Sequence, residues 1–275
     1  MKKLNFKKIS LGIAIGAAAI YIAACAWVYF RQEKILFHPK KIELDKKFSF
    51  RVPFEDVWID VDVAKLHGLY FKTNAAPSKG LIIFFHGNDQ TANKNGESAA
   101  EFTNHGFDYF IPDYRGYGKS SGTIQSEKQF LSDLDRFYEW AKTKYSEEKI
   151  ILSGRSLGGA AALYLASKSK PRLTVAIATF FNISAMADIR YPYFPKFLLR
   201  YHLPNNIWIA QAQSPVYVIC GAEDKTIPPA QSERLAALTK DARPAFVVPG
   251  ASHGDLQKFP LYHDILHRIV NGEES

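Results

Sequence analysis

Three residues stand where chemistry is easiest to build. Ser156, Asp224 and His253 each follow an apolar run and sit in a turn of small or polar residues. The pentapeptide Gly154-Arg155-Ser156-Leu157-Gly158 joins the run Lys149-Ile150-Ile151-Leu152-Ser153 to an apolar stretch that reads as a helix. A serine on such a sharp strand-to-helix turn is held in strained geometry, with its hydroxyl lifted above the sheet. The positions two before and two after it must be small, because neighbouring backbone crowds them. The helix beginning just beyond also aims N–H groups at any anion forming there. A serine nucleophile needs a base to take its proton, and the base needs an orienting carboxylate. Asp224, after Val216-Tyr217-Val218-Ile219-Cys220, and His253, after Val247-Val248, supply these groups in the order serine, acid, histidine. All three are expected at the carboxyl ends of strands.

Each assignment has a competitor. Gly118-Lys119-Ser120-Ser121-Gly122 repeats the serine pattern, but a polar, glycine-rich stretch precedes it and no apolar helix follows at once, so Ser120 reads as a loop serine. Glu223 neighbours Asp224 but sits less deep in the turn, and Asp188 falls inside an irregular segment. His263 and His267 lie four apart on a C-terminal helix, as flank or surface residues. His38, His105 and His202 lack a strand-end context and read as surface or structural residues. The oxyanion of an acyl-transfer intermediate needs two backbone donors. Leu157, immediately after the serine, is one. Asn88, in His86-Gly87-Asn88-Asp89 after the run 81–85, is the other, with His86 structural.

The elements that must hold these residues are legible in outline. Segments 57–61 and 65–71 alternate as an antiparallel edge pair. Apolar runs at 81–85, 107–111, 150–153, 173–178, 216–220 and 245–248 alternate with helical stretches at 96–105, 127–145, 157–168, 229–239 and 262–270. Continuous apolar strands separated by helices predict an α/β fold: a mostly parallel central sheet with helices on both faces. Residues 182–212 interrupt the alternation with an aromatic-rich insert, read either as a short cap over the site or as an ordinary helical connection.

The chain of 275 residues is long enough for one large domain, and its hydrophobic content of 47 % and charged content of 23 % are ordinary for a globular protein. Two cysteines, Cys25 and Cys220, provide neither a disulfide framework nor a metal cluster. Residues 9–30 carry no charge and would span roughly 33 Å as a helix, close to a bilayer core. An uncleaved signal anchor is favoured over a cleaved signal or a lipobox ending at Cys25, because apolar residues continue through Phe30. The division expected is a basic tail at 1–8, a transmembrane anchor at 9–30, a juxtamembrane connector at 31–43 and a catalytic domain at 44–275. The net charge of +8 clusters around the apolar run, as membrane-flanking residues do; no nucleic-acid motif accompanies it. Lysines before the run favour a cytoplasmic N-terminus, which places the domain on the non-cytoplasmic side; basic residues after the run pull the other way.

Taken together, Phe85-His86-Gly87-Asn88, Asp113-Tyr114-Arg115-Gly116-Tyr117-Gly118-Lys119-Ser120, the turn at Ser156, Gly221-Ala222-Glu223-Asp224 and Ser252-His253-Gly254 resemble the α/β-hydrolase superfamily. With the N-terminal apolar run, the chain is similar to its membrane-anchored branch. The resemblance implies the α/β-hydrolase fold and a Ser156-His253-Asp224 triad without metal or organic cofactor. The substrate it implies is a carboxylic ester or thioester; the aromatic insert and the N-terminal anchor motivate a lipid-like acyl substrate. A serine peptidase with the same triad, and a non-catalytic hydrolase-like binding protein, are the alternatives.

Overall fold

The computed structural model describes residues 6–274; the start of the basic tail, with Lys2 and Lys3, lies outside the described residues. In chain order the elements are α1 (Phe6–Leu36), β1 (Phe54–Val61), β2 (Ala64–Phe71), β3 (Gly80–Phe85), α2 (Ala92–Asn95), α3 (Ala99–Thr103), β4 (Phe107–Asp113), α4 (Glu127–Lys142), β5 (Ile150–Arg155), α5 (Leu157–Ala166), β6 (Leu173–Ile177), α6 (Ile183–Arg190), α7 (Asn205–Gln211), β7 (Val216–Gly221), α8 (Pro229–Ala236), β8 (Phe246–Val248) and α9 (Pro260–Asn271). The strands form one sheet in the order β1-β2-β4-β3-β5-β6-β7-β8. β1–β2 and β2–β4 pair antiparallel, and every other neighbour is parallel.

The central strands are buried on both faces, which is why they read as unbroken apolar runs. Their side chains still alternate. Leu81, Ile83 and Phe85 of β3 join Phe130, Leu134 and Phe137 of α4 and the alanines of α5 on one face. Ile82 points the other way, into a cluster with Phe102 of α3 and Ile265 and Ile269 of α9. The predicted helix at 96–105 is interrupted. Thr91 caps α2 through its hydroxyl, and the chain breaks step at Gly96, where an added Cβ would lie 2.3 Å from the Phe50 ring.

β3 has β4 on one side and β5 on the other, so the chain reverses its winding there. Phe85 and Gly154 pair at the carboxyl ends of β3 and β5, which sets the loop 86–89 beside Ser156. The insert at 182–212 has no separate core: Ile183, Tyr201, Leu203, Trp208 and Ile209 pack into the cluster that contains α4 and α5.

α1 is 31 residues long and continues through Leu36, into the stretch read as a connector. Pro39 prevents its extension. It is long and apolar enough to cross a membrane, and its apolar window is only 6 % buried, unlike a core helix.

The turn at Ser156 depends on two close backbone approaches. A Cβ on Gly158 would sit 1.8 Å from the Phe85 carbonyl oxygen, and one on Gly154 would sit 2.0 Å from that of Gly158. Gly158→Ala is therefore expected to cost about 3 kcal/mol, whereas Gly254→Ala, whose Cβ meets nothing within 4 Å, changes stability little. Thermal unfolding of the detergent-solubilised chain distinguishes them; equal melting temperatures for the two variants would contradict the packing described.

Candidate active site

Ser156 occupies the single residue between β5 and α5, at φ 57° and ψ −116°. Positive φ is costly for a residue with a Cβ, and surrounding bonds hold it in place. Its N–H donates to Ile177 O at 2.9 Å. Its carbonyl accepts from the Gly159 N–H at 3.0 Å and the Thr179 hydroxyl at 2.8 Å. The backbone is thus fully engaged, and the side chain is left to face a cavity of about 760 Å³.

His253 lines the same cavity. Its Nδ1 lies 2.7 Å from Asp224 Oδ2. Asp224 is buried, and its other oxygen accepts the N–H groups of Thr226 and Ile227, each at 2.8 Å. A carboxylate fixed at both oxygens calls for the imidazole proton on Nδ1, which leaves Nε2 as the acceptor. Among the described residues the Ser156 hydroxyl and His253 Nε2 make no hydrogen bond, to each other or elsewhere; such bonds commonly close only around substrate. Arg155 reaches across to the loop that carries His253. Its guanidinium donates to the His253 carbonyl, and Nη1 lies 3.3 Å from Gln257 Oε1. Burial lowers its pKa from the usual arginine value, with Tyr262 and Asp224 opposing the shift.

Asn88 is pinned from several directions. Its carbonyl accepts from the His38 N–H at 3.1 Å and the Tyr117 hydroxyl at 2.9 Å, and its side-chain amide donates to Leu36 O at 3.2 Å. Among the described residues, the backbone N–H groups of Asn88 and Leu157 find no protein acceptor, and both residues line the cavity. His38, expected at the surface or in a structural role, is exposed but stands on the cavity rim.

The competing residues are engaged elsewhere. Ser120 is buried; its hydroxyl donates to Asp113 O at 2.7 Å and accepts from the His67 N–H at 2.8 Å. Asp188 pairs with Lys196 at 2.7 Å, and Glu223 is exposed. His263 and His267 both contact Glu101, at 2.6 and 2.9 Å, and the His105 ring packs on His267. His202 is exposed. Among the described residues, no group of three or more His, Cys, Asp or Glu side chains is placed to hold a metal ion.

A buried polar hub supports the floor of the site and carried no clear signal in the sequence. Asp113 ends β4 and meets His67 Nδ1 at 3.2 Å, the Ala92 N–H at 2.7 Å and His86 Nε2 at 3.5 Å; His67 Nε2 in turn meets Asp56 at 2.7 Å. Burial opposes ionisation of Asp113, but the hydrogen bond with His67 and the adjacent His86 ring outweigh it and hold the carboxyl below its usual range. A depressed folded pKa contributes stability that is complete above about pH 4 and is lost as pH falls through the folded value. The melting-temperature gap between wild type and Asp113→Asn should therefore be largest near neutrality and shrink on acidification. A gap independent of pH would contradict the ionised assignment.

Comparison with known proteins agrees with this architecture. Residues 76–205 match the model of a family described as serine aminopeptidase, S33. An uncharacterised protein of Mycobacterium tuberculosis (strain H37Rv) is 28 % identical over 250 residues, covering 90 % of this chain and 89 % of that protein. Protein bem46 of Schizosaccharomyces pombe is 29 % identical over 261 residues, covering 88 % and 86 %. An uncharacterised membrane protein of Saccharomyces cerevisiae is 32 % identical over 177 residues, covering 60 % and 61 %. Among solved structures, a Pyrococcus furiosus esterase superposes with a TM-score of 0.66 at 18 % identity, over 86 % of this chain and 97 % of that one. The acylaminoacyl peptidase of Pyrococcus horikoshii gives 0.61 at 16 % identity, over 81 % of this chain and 41 % of the peptidase. The chain has the α/β-hydrolase fold of these structures, and its N-terminal helix is long and apolar enough to cross a membrane.

Proposed function

We propose that the protein is a membrane-tethered serine hydrolase that cleaves carboxylic esters or thioesters through Ser156, His253 and Asp224. The observation that carries this reading is the 2.7 Å His253–Asp224 contact on the same cavity as a serine held at positive φ. In this mechanism His253 Nε2 takes the Ser156 proton as Oγ attacks the carbonyl carbon. The tetrahedral oxyanion accepts from the N–H groups of Asn88 and Leu157. Collapse breaks the bond to the leaving alcohol or thiol, which takes the proton back from His253. Water then repeats the sequence on the acyl-enzyme, and Asp224 keeps the imidazole oriented and stabilises its charged form. Arg155 acts as a positioning residue through the His253 carbonyl.

The cavity lining supports an acyl substrate. Leu36, Phe180, Ile183 and Phe194 provide apolar walls. The match to an aminopeptidase family favours a second reading, cleavage of peptides at a free amino terminus. The charges disfavour it. Among the described residues that line the cavity, Asp89 is the one carboxylate and lies 3.6 Å from Lys40, while Lys94, Arg155 and Arg190 bring positive charge. A substrate ammonium group thus meets more cations than carboxylates there. Tethering is supported by α1, which runs unbroken from Phe6 to Leu36. We place the N-terminus in the cytoplasm and the domain across the membrane.

Ser156→Ala is expected to abolish hydrolysis of acyl-chain esters, Asp224→Asn to lower kcat by about 10⁴, and Ser120→Ala to retain wild-type turnover. Parallel assays on ester, thioester and amino-acid amide substrates separate the readings. Amide turnover matching ester turnover would make the protein a peptidase, and a steep preference for two-carbon acyl groups would count against lipid-like substrates.

A further inference from the structure

One wall of the cavity comes from the apolar helix itself. Val28, Gln32, Ile35 and Leu36 of α1 line it, as do Ile183, Met186 and Ala187 of α6. The helix is seated there by specific bonds. Gln32, 4 % exposed, donates to Leu198 O at 2.8 Å and accepts from the Arg200 N–H at 2.7 Å. Glu33 pairs with Arg200 at 2.7 Å.

Farther up the helix, the Tyr21 hydroxyl donates to the Tyr193 carbonyl at 2.8 Å. Tyr21 lies well inside the uncharged run, about 14 Å of helical rise before its end at Phe30. A bilayer that covers the run therefore reaches the segment 189–197. The outer surface of that segment suits it. Tyr193 is 85 % and Phe197 86 % exposed, Ile189 and Tyr191 are also exposed, and Arg190 adds charge of the sign that attracts lipid headgroups, while Lys196 is paired with Asp188. Tyr193 and Phe197 themselves do not line the cavity; Tyr191 and Phe194, between and beside them, do.

We propose that segment 189–197 inserts into the bilayer beside α1, so that the cavity opens onto the hydrocarbon layer and an acyl chain enters sideways between α1 and α6. This rests on reading α1 as a membrane helix and the cavity as a hydrolase site. The occupant of the exposed aromatic surface is lipid, and the charged rim meets the headgroups.

The test uses the full chain in dioleoylphosphatidylcholine vesicles, with Cys25→Ala and Cys220→Ala, and a fluorophore attached through Tyr193→Cys, Phe197→Cys or, on the opposite edge of the sheet, Lys170→Cys. Lipids brominated in the acyl chain should quench the first two and spare the third, and aqueous iodide should do the reverse. Equal iodide quenching at all three sites would overturn the proposal. So would protection that disappears when the protein is diluted in lipid, because a second copy would then be the cover. In a second arm, Tyr193→Asp with Phe197→Asp should lower hydrolysis of a vesicle-borne long-chain ester by about tenfold or more. The same variant should keep hydrolysis of a water-soluble short-chain ester within about twofold of wild type. Equal losses on both esters would overturn sideways entry. Absence of any hydrolysis by wild type would sink the hydrolase reading and leave the quenching result to decide membrane insertion.

Discussion

The N-terminal end of α5 runs so close to the end of β3 that Gly158 has no room for a methyl group against the Phe85 carbonyl. This approach holds the site together. It draws the serine turn against the loop that carries Asn88, and it leaves Ser156 with a positive φ that only the surrounding bonds maintain. Asn88, Ser156 and Leu157 then line the same cavity, and among the described residues the two N–H groups and the hydroxyl have no protein partner. Nothing in that arrangement needs a flexible side chain to find its place: the sheet register Phe85–Gly154 sets the spacing, and the bonds to Ile177 and Thr179 set the serine. Asp224 and His253 arrive from β7 and the loop after β8, so the parallel order of the sheet brings them to the same edge.

The N-terminal helix lines the same cavity as Ser156. Leu36 O accepts from the Asn88 side chain, and the next turn of chain, at His38, donates to the Asn88 carbonyl. Gln32 and Glu33 bind the segment after α6. Any tilt of α1 therefore acts on Asn88 and on the cavity wall together. A buried glutamine near the end of this helix makes sense on these terms: its amide supplies both a donor and an acceptor to part-buried backbone at Leu198 and Arg200.

Much of this was legible in the sequence because its signals were local. The apolar runs at 81–85, 150–153 and 216–220 coincide closely with β3, β5 and β7, since strands buried on both faces need continuous apolar side chains. The small residues around Ser156 announced the elbow for the steric reason now visible at Gly158. What stayed hidden depends on distant contacts. Neither the His67–Asp113–His86 hub nor the Arg155 bond to the His253 carbonyl leaves a periodic trace. The insert at 182–212 gave an irregular pattern because its apolar residues serve two masters, some completing the core beside α5 and others facing the cavity. The docking face of α1 was invisible because hydrophobic patterning cannot separate a lipid-facing side from a protein-facing one when both are apolar.

The central claim is that His253, oriented by Asp224, makes the Ser156 hydroxyl reactive. The most direct measurement is peptide mapping by mass spectrometry after reaction with a fluorophosphonate, for wild type and for a folded His253→Ala variant. The account predicts a single adduct, on the peptide containing Ser156, and its loss when the imidazole is removed. An adduct on Ser120, or one on Ser156 that forms equally fast without the imidazole, would contradict it.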